Sequence, residues 1–150
     1  MSFFNGLNIS ASGMSAQRLR MDLISQNIAN VNTTRNEDGE PYRRQTAVFA
    51  EQEANQFGSL LSRATTSNAS EKNGSGVKVT SIVKDHVTEM KKVYDPSHPD
   101  ADETGYVTYP NVNTVTEMTN LIDATRSYEA NVTAFNATKN MLLKGLEVGK

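Results

Sequence analysis

Residues Met118 to Leu146 read MTNLIDATRSYEANVTAFNATKNMLLKGL. Within this stretch Met118, Leu121, Thr125, Tyr128, Val132, Phe135, Lys139, Leu142 and Leu146 follow one another in alternating steps of three and four. Seven of these nine positions are apolar, so an α-helix would stack them along a single stripe. A stripe held over several heptads predicts a helix that lies against another helix. Pro110 precedes it, and Asn111 or Asn113 supplies a cap for its start. The region 111–150 is therefore expected to form one long helix.

The partner is expected at the other end of the chain. Region 1–33 contains no proline, and Leu7, Met14, Met21 and Ile28 fall seven apart, with Ala11, Ile24 and Val31 on the same face. Gly6 and Gly13 each weaken an isolated helix by about 1 kcal/mol relative to alanine, a cost that close helix approach makes tolerable. Both stripes would be roughly 45–55 Å long at the helical rise, and one stripe alone does not hold a helix in water. The ends are expected to pair as an antiparallel coiled coil. Region 34–110, between them, holds all four prolines and three β-like runs, Arg43 to Phe49, Gly76 to Lys84 and Val87 to Tyr94. The second alternates Val77, Val79, Ser81 and Val83 against Lys78, Thr80, Ile82 and Lys84, the pattern of a half-buried strand. Residues 64–76 carry nothing apolar larger than alanine apart from their neighbours and read as a flexible exposed loop. The fold class is mainly α with a β insertion: two long terminal helices and a small, hairpin-rich middle.

Composition limits the function classes. Fifteen basic against seventeen acidic residues in 150 leave a net charge of −2, which argues against a general nucleic-acid binder. With no cysteine there is no disulfide frame, thiol nucleophile or thiolate metal site. Asn, Ser and Thr supply 43 residues and the hydrophobic share is 37%, enough for a modest core and suggestive of stability borrowed from partners. No run approaches the roughly 20 apolar residues that span a bilayer, and no direct lipid binding is expected. The start has no basic residue before Arg18 and no apolar run beyond Phe3-Phe4, unlike a cleavable secretory signal. The densest polar chemistry is YDPSHPDAD, with Asp95, His98, Asp100 and Asp102, followed by Glu103. Such ligands suit a divalent ion, and equally a proline-braced turn whose side chains bond to nearby backbone. Their spacing matches no named metal motif, and neither His86 nor His98 sits near a nucleophile motif. No enzyme, metal or cofactor is expected. Two other readings remain open on residues alone: a cytoplasmic coiled-coil adaptor, and a metal-dependent hydrolase using Asp95–Asp102.

The helical ends carry the most specific words. SASGMSAQRLRMDLISQNIANVNTT, beginning at Ser10, resembles the first helix of bacterial flagellar axial proteins, which ends in an asparagine-rich segment. Here that segment is Asn27, Ile28, Ala29, Asn30 and Thr33. The insertion RNEDGEP before Tyr42, the later GYV and PNVN, and a helix with Glu117, Met118, Leu121, Ile122, Ala124, Arg126, Tyr128, Glu129, Ala130 and Asn131 are similar to the basal-body rod members of that family, nearest those of the proximal rod. The resemblance implies a structural subunit exported unfolded through the flagellar type III apparatus without a cleaved signal. It would then assemble with copies of itself, neighbouring rod proteins and the rod adaptor into a periplasmic drive shaft. Leu7, Met14, Met21, Ile24, Ile28, Met118, Leu121, Tyr128, Val132, Phe135, Leu142 and Leu146 are the expected helix-packing interface. Asn27, Asn30 and Asn32 are expected to end the first helix or to bond across subunits.

Overall fold

A computed structural model describes residues 3–36, 39–52 and 75–148. The expected flexible loop at 64–76 lies outside them, save for Ser75 and Gly76. Helix α1 runs Phe3–Ala29 and helix α2 runs Thr114–Val148. Four strands lie between them in the chain: β1 (Gln45–Glu51), β2 (Val77–Lys84), β3 (Lys91–Tyr94) and β4 (Tyr106–Tyr109). The two long helices and the strand-bearing middle are as the sequence predicts. Strand β4 is additional; its four residues, YVTY, are too short to register as a period.

α2 starts where Asn113 caps it. The Asn113 side-chain oxygen accepts from the backbone N–H groups of Val115 and Thr116 at 3.0 and 3.4 Å, occupying donors that the first turn leaves unpaired. α1 stops at the asparagines: Asn30 donates both its backbone and side-chain N–H to the Gln26 carbonyl, at 3.0 and 2.9 Å. The Thr33 hydroxyl then bonds Asn30 Oδ1 at 3.1 Å and fixes the exit.

β1 pairs with β2, and β3 with β4, in two separate two-stranded sheets. The second is an antiparallel hairpin in the register Lys91↔Tyr109, Lys92↔Thr108, Val93↔Val107 and Tyr94↔Tyr106. Tyr94 and Tyr106 pack edge to face across it with centroids 5.2 Å apart. Its loop closes at Gly105, whose φ of +80° a side chain would strain. The first sheet departs from expectation in burial. Along β2 only Val79 is half-buried, and Ile82 and Val83 are about half exposed. A ribbon of two strands has little to seal its faces among the described residues.

The chain divides into two compact units. One comprises Met1–Gln17, Phe49–Thr80 and Arg126–Lys150; the other comprises Arg18–Val48 and Ser81–Thr125. In the first, a Cβ on Gly6 would rest 3.7 Å from Thr138 Cγ2, and one on Gly13 would meet Asn131 Oδ1 at 2.8 Å. The β2 end is tied to α1 by the Val77 N–H, which donates to Ser12 Oγ at 3.0 Å. Gly76, at φ +123°, passes so close to Ser12 that any side chain would collide with it. In the second unit Leu23, Ile24, Tyr42, Val107 and Ala124 form the buried apolar set.

Candidate assembly interface

The signature asparagine Asn27 is fully buried and sits at the centre of a polar node. Its amide nitrogen donates to the Gln45 carbonyl at 2.9 Å and to Glu117 Oε2 at 3.1 Å. Its oxygen accepts from the Tyr42 hydroxyl and the Gln45 N–H, both at 2.9 Å. Two donors and two lone pairs are all an asparagine side chain has, so Asn27 is saturated within its own chain. Of its two expected roles, this leaves no hydrogen-bonding capacity for a neighbouring subunit.

Glu117 is 1% exposed and is the node's charge. Its Oε1 accepts from Arg44 Nε at 2.8 Å, forming an ion pair whose arginine keeps partial contact with solvent. Burial and the Glu117 charge hold the Tyr42 phenol above its ordinary value, so it remains a neutral donor to Asn27. Asn111 completes the surroundings: its oxygen accepts from the Arg44 N–H at 2.9 Å, and its amide donates to the carbonyls of Asp85 and Thr88. Sequence reasoning placed Arg44 within a β-like run and Glu117 in a family match, and missed their pairing. The available signal was a lone acid on the buried side of α2, between Asn113 and Ala124.

The remaining motif residues do less. Asn30 and Thr33 end α1, Ile28 is half-buried, and Ala29 and Asn32 are exposed. Of the expected packing residues, Ile24 is buried. Leu7, Met14, Met21, Ile28, Leu121, Tyr128, Val132, Phe135 and Leu142 are half-buried. Met118 is 55% and Leu146 72% exposed in the single chain. The deepest helix positions are instead mostly small or polar: Ser10, Ala16, Asn27, Glu117 and Ala124, joined by Leu23 and Ile24. Large apolar groups stand outside them, with Phe4, Val115, Met118, Ile122, Met141 and Leu146 all more than half exposed.

The acidic loop serves its own geometry. Asp95 accepts from the Ser97 hydroxyl and N–H, which lowers its pKa. His98 Nδ1 accepts from the Asp100 N–H, and Asp100 takes the Thr34 hydroxyl at 2.8 Å and lies 3.8 Å from Arg35. Among the described residues no three His, Asp or Glu side chains are placed to hold a metal ion. A polar cleft of about 290 Å³ opens beside Tyr42, lined by Asn30, Glu40, Arg43, Lys84 and His86 among others. No helix among the described residues is long and apolar enough to cross a membrane.

Comparison with known proteins gives these features a setting. Residues 7–35 match the family model for flagella basal body rod proteins, and residues 103–148 match that for the flagellar basal body rod FlgEFG protein C-terminal region. The flagellar basal-body rod protein FlgC of Bacillus subtilis is 48% identical over 154 aligned residues, covering all of both chains. That of Borreliella burgdorferi is 44% identical over 99% of this chain and 98% of its own. That of Salmonella typhimurium is 37% identical over 150 residues, again across both chains in full. The two matched segments hold α2, most of α1 and both Asn27 and Glu117, and the likeness runs from end to end: this chain belongs to the FlgC family of flagellar basal-body rod proteins.

Proposed function

We infer that this chain, a structural subunit of the proximal rod of the flagellar basal body, pairs its terminal helices as an antiparallel coiled coil and polymerises through their outer faces. The product is the tubular drive shaft that carries torque across the periplasm. The order of facing residues supports the pairing within each unit. Gly6 and Gly13 lie against Thr138 and Asn131 in one, and Met21 and Asn27 against Thr125 and Glu117 in the other. Partners on α2 retreat as α1 advances.

The observation that carries the polymerisation is where the large apolar groups stand. Small side chains at the centre let backbones approach, while Met118, Ile122, Met141 and Leu146 remain exposed along α2. A lone soluble chain gains nothing from such a display. Heterologous contacts, one face against a different face of the next copy, extend it into a tube without closing. The partners are copies of itself, neighbouring rod proteins and the rod adaptor. Delivery is unfolded, through the flagellar type III export apparatus. The role is mechanical, with no catalytic step. The cytoplasmic adaptor reading differs in where the chain ends up.

Replacing Met118 and Leu146 with glutamate tests this. Both are exposed, so the folded chain should lose no more than about 0.5 kcal/mol in urea unfolding, while incorporation into isolated basal bodies and swimming are lost. Basal bodies that accept the doubly charged variant as readily as the parent would overturn assembly through this face.

A further inference from the structure

We infer that Glu117, held by Asn27 and Arg44, selects the register in which the two terminal helices pair; the inference rests on the antiparallel pairing proposed above. The apolar pattern does not make that selection. Leu7, Met14, Met21 and Ile28 repeat every seven residues, as do Leu121, Tyr128, Phe135 and Leu142. Sliding one helix past the other by seven therefore lays apolar on apolar again.

Nor does the close approach at Gly13 select it. Gly13 faces Asn131, and a seven-residue slip would offer it Thr138 or Ala124, both small enough to admit. The feature that does not repeat is the node. Seven-residue steps from Glu117 reach Ala124, Asn131 and Thr138, and steps back from Asn27 reach Arg20, Gly13 and Gly6. A slip one way sets the Glu117 carboxylate opposite Thr34, and the other way opposite Arg20. Either slip separates it from Asn27 and leaves an Asn27 N–H without its buried acceptor, a loss that Arg20, though a countercharge for Glu117, does not repair. An orphaned buried donor beside a displaced carboxylate costs far more than a rearranged apolar contact. One polar contact in an otherwise degenerate seam thus specifies the alignment, and Glu117 acts as a positioning residue.

The absence of cysteine makes the test clean. Thr125 Oγ1 lies 3.6 Å from Met21 Sδ, so Met21→Cys with Thr125→Cys reports the native register. Met21→Cys with Val132→Cys or with Met118→Cys reports the two slipped ones. The full-length chain is oxidised at high dilution and the intramolecular disulfide fractions are compared. With the node intact the native pair should exceed each slipped pair by about tenfold or more. In the background Asn27→Leu, Arg44→Met, Glu117→Leu that preference should fall to about threefold or less, with helicity by circular dichroism retained. An unchanged preference at retained helicity overturns the inference, as does a lower melting temperature with an unchanged ratio. If the triple background loses helicity, Glu117→Gln is read the same way, and a preference equal to the parent's overturns the inference. No native link in the parent overturns the antiparallel pairing itself, and this inference with it. A native link that persists while its preference is insensitive to the node overturns only this inference.

Discussion

Asn27 uses every hydrogen-bonding position it has, which makes its substitutions graded. Asn27→Ala would strand the Tyr42 hydroxyl, the Gln45 N–H and one bond to Glu117 in a buried place, an expected loss of about 2–4 kcal/mol in urea unfolding. Asn27→Asp should cost more, since it brings a second carboxylate to Glu117 and removes both donors. Arg44→Met removes the countercharge from a glutamate that is 1% exposed, for about 3 kcal/mol. Two titrations bracket the same unit. The Tyr42 phenol is held above its ordinary value of 10.0. The neutral form is therefore favoured by folding, and its contribution, full below pH 10, is lost as pH rises through the folded value. Absorbance of the phenolate should show a step above the ordinary tyrosine range, and Tyr42→Phe should remove it. At the acid end Asp85, exposed but bonded to the N–H and hydroxyl of Thr88 and the N–H of Val87, has its pKa lowered. Its contribution stands above the ordinary 3.8 and fades as pH falls through the lower folded value. The protection of the Thr88 amide against exchange, measured relative to its intrinsic rate at each pH, should fall over that same interval.

At the scale of elements, the helical glycines Gly13 and Gly145 lie in opposite surroundings. A Cβ at Gly145 meets nothing within 4 Å, whereas one at Gly13 meets Asn131 at 2.8 Å. That asparagine is itself tied to the Ser127 carbonyl at 2.8 Å, so it does not swing aside freely. Gly145→Ala should raise thermal stability by up to about 1 kcal/mol through helix propensity alone. Gly13→Ala should lower it by about 1–2 kcal/mol, the clash outweighing the same propensity gain. Thermal melts followed at the helical band compare them directly. The contrast also explains what the sequence disclosed about these helices. Their existence and rough extent followed from apolar spacing, which needs no knowledge of neighbours. Their deepest positions followed only in part, because a search for large apolar groups finds Met118 and Leu146, which stand outside, and has no means of finding the buried polar Ser10 and Glu117. The cap at Asn113 was legible as one of two asparagines, since a cap depends on local bonds. β4 was not, since a four-residue strand is defined by its partner β3.

At the scale of the molecule, rod membership was legible because its words lie in short contiguous stretches. The Asn27–Glu117 pair was not, since its members stand 90 residues apart and only the folded chain brings them together. That separation carries through to how the protein is made. Asn27 lies in the first fifth of the chain, and its acceptor comes near the last quarter. Closing so long a loop precedes any return from the contact, so the node is a late event on any folding route. A chain threaded N-terminus first carries an incomplete Asn27 until Glu117 has followed it out, several seconds behind at about 5–20 residues per second if the ribosome sets the pace. Until then the α1 segment has its own helical propensity and little else, and that weak hold makes early lock-up unfavourable. Distance along the chain thus works as a timer: the buried polar node of the finished subunit is unavailable to the unfinished one, and closes only after most of the chain has emerged.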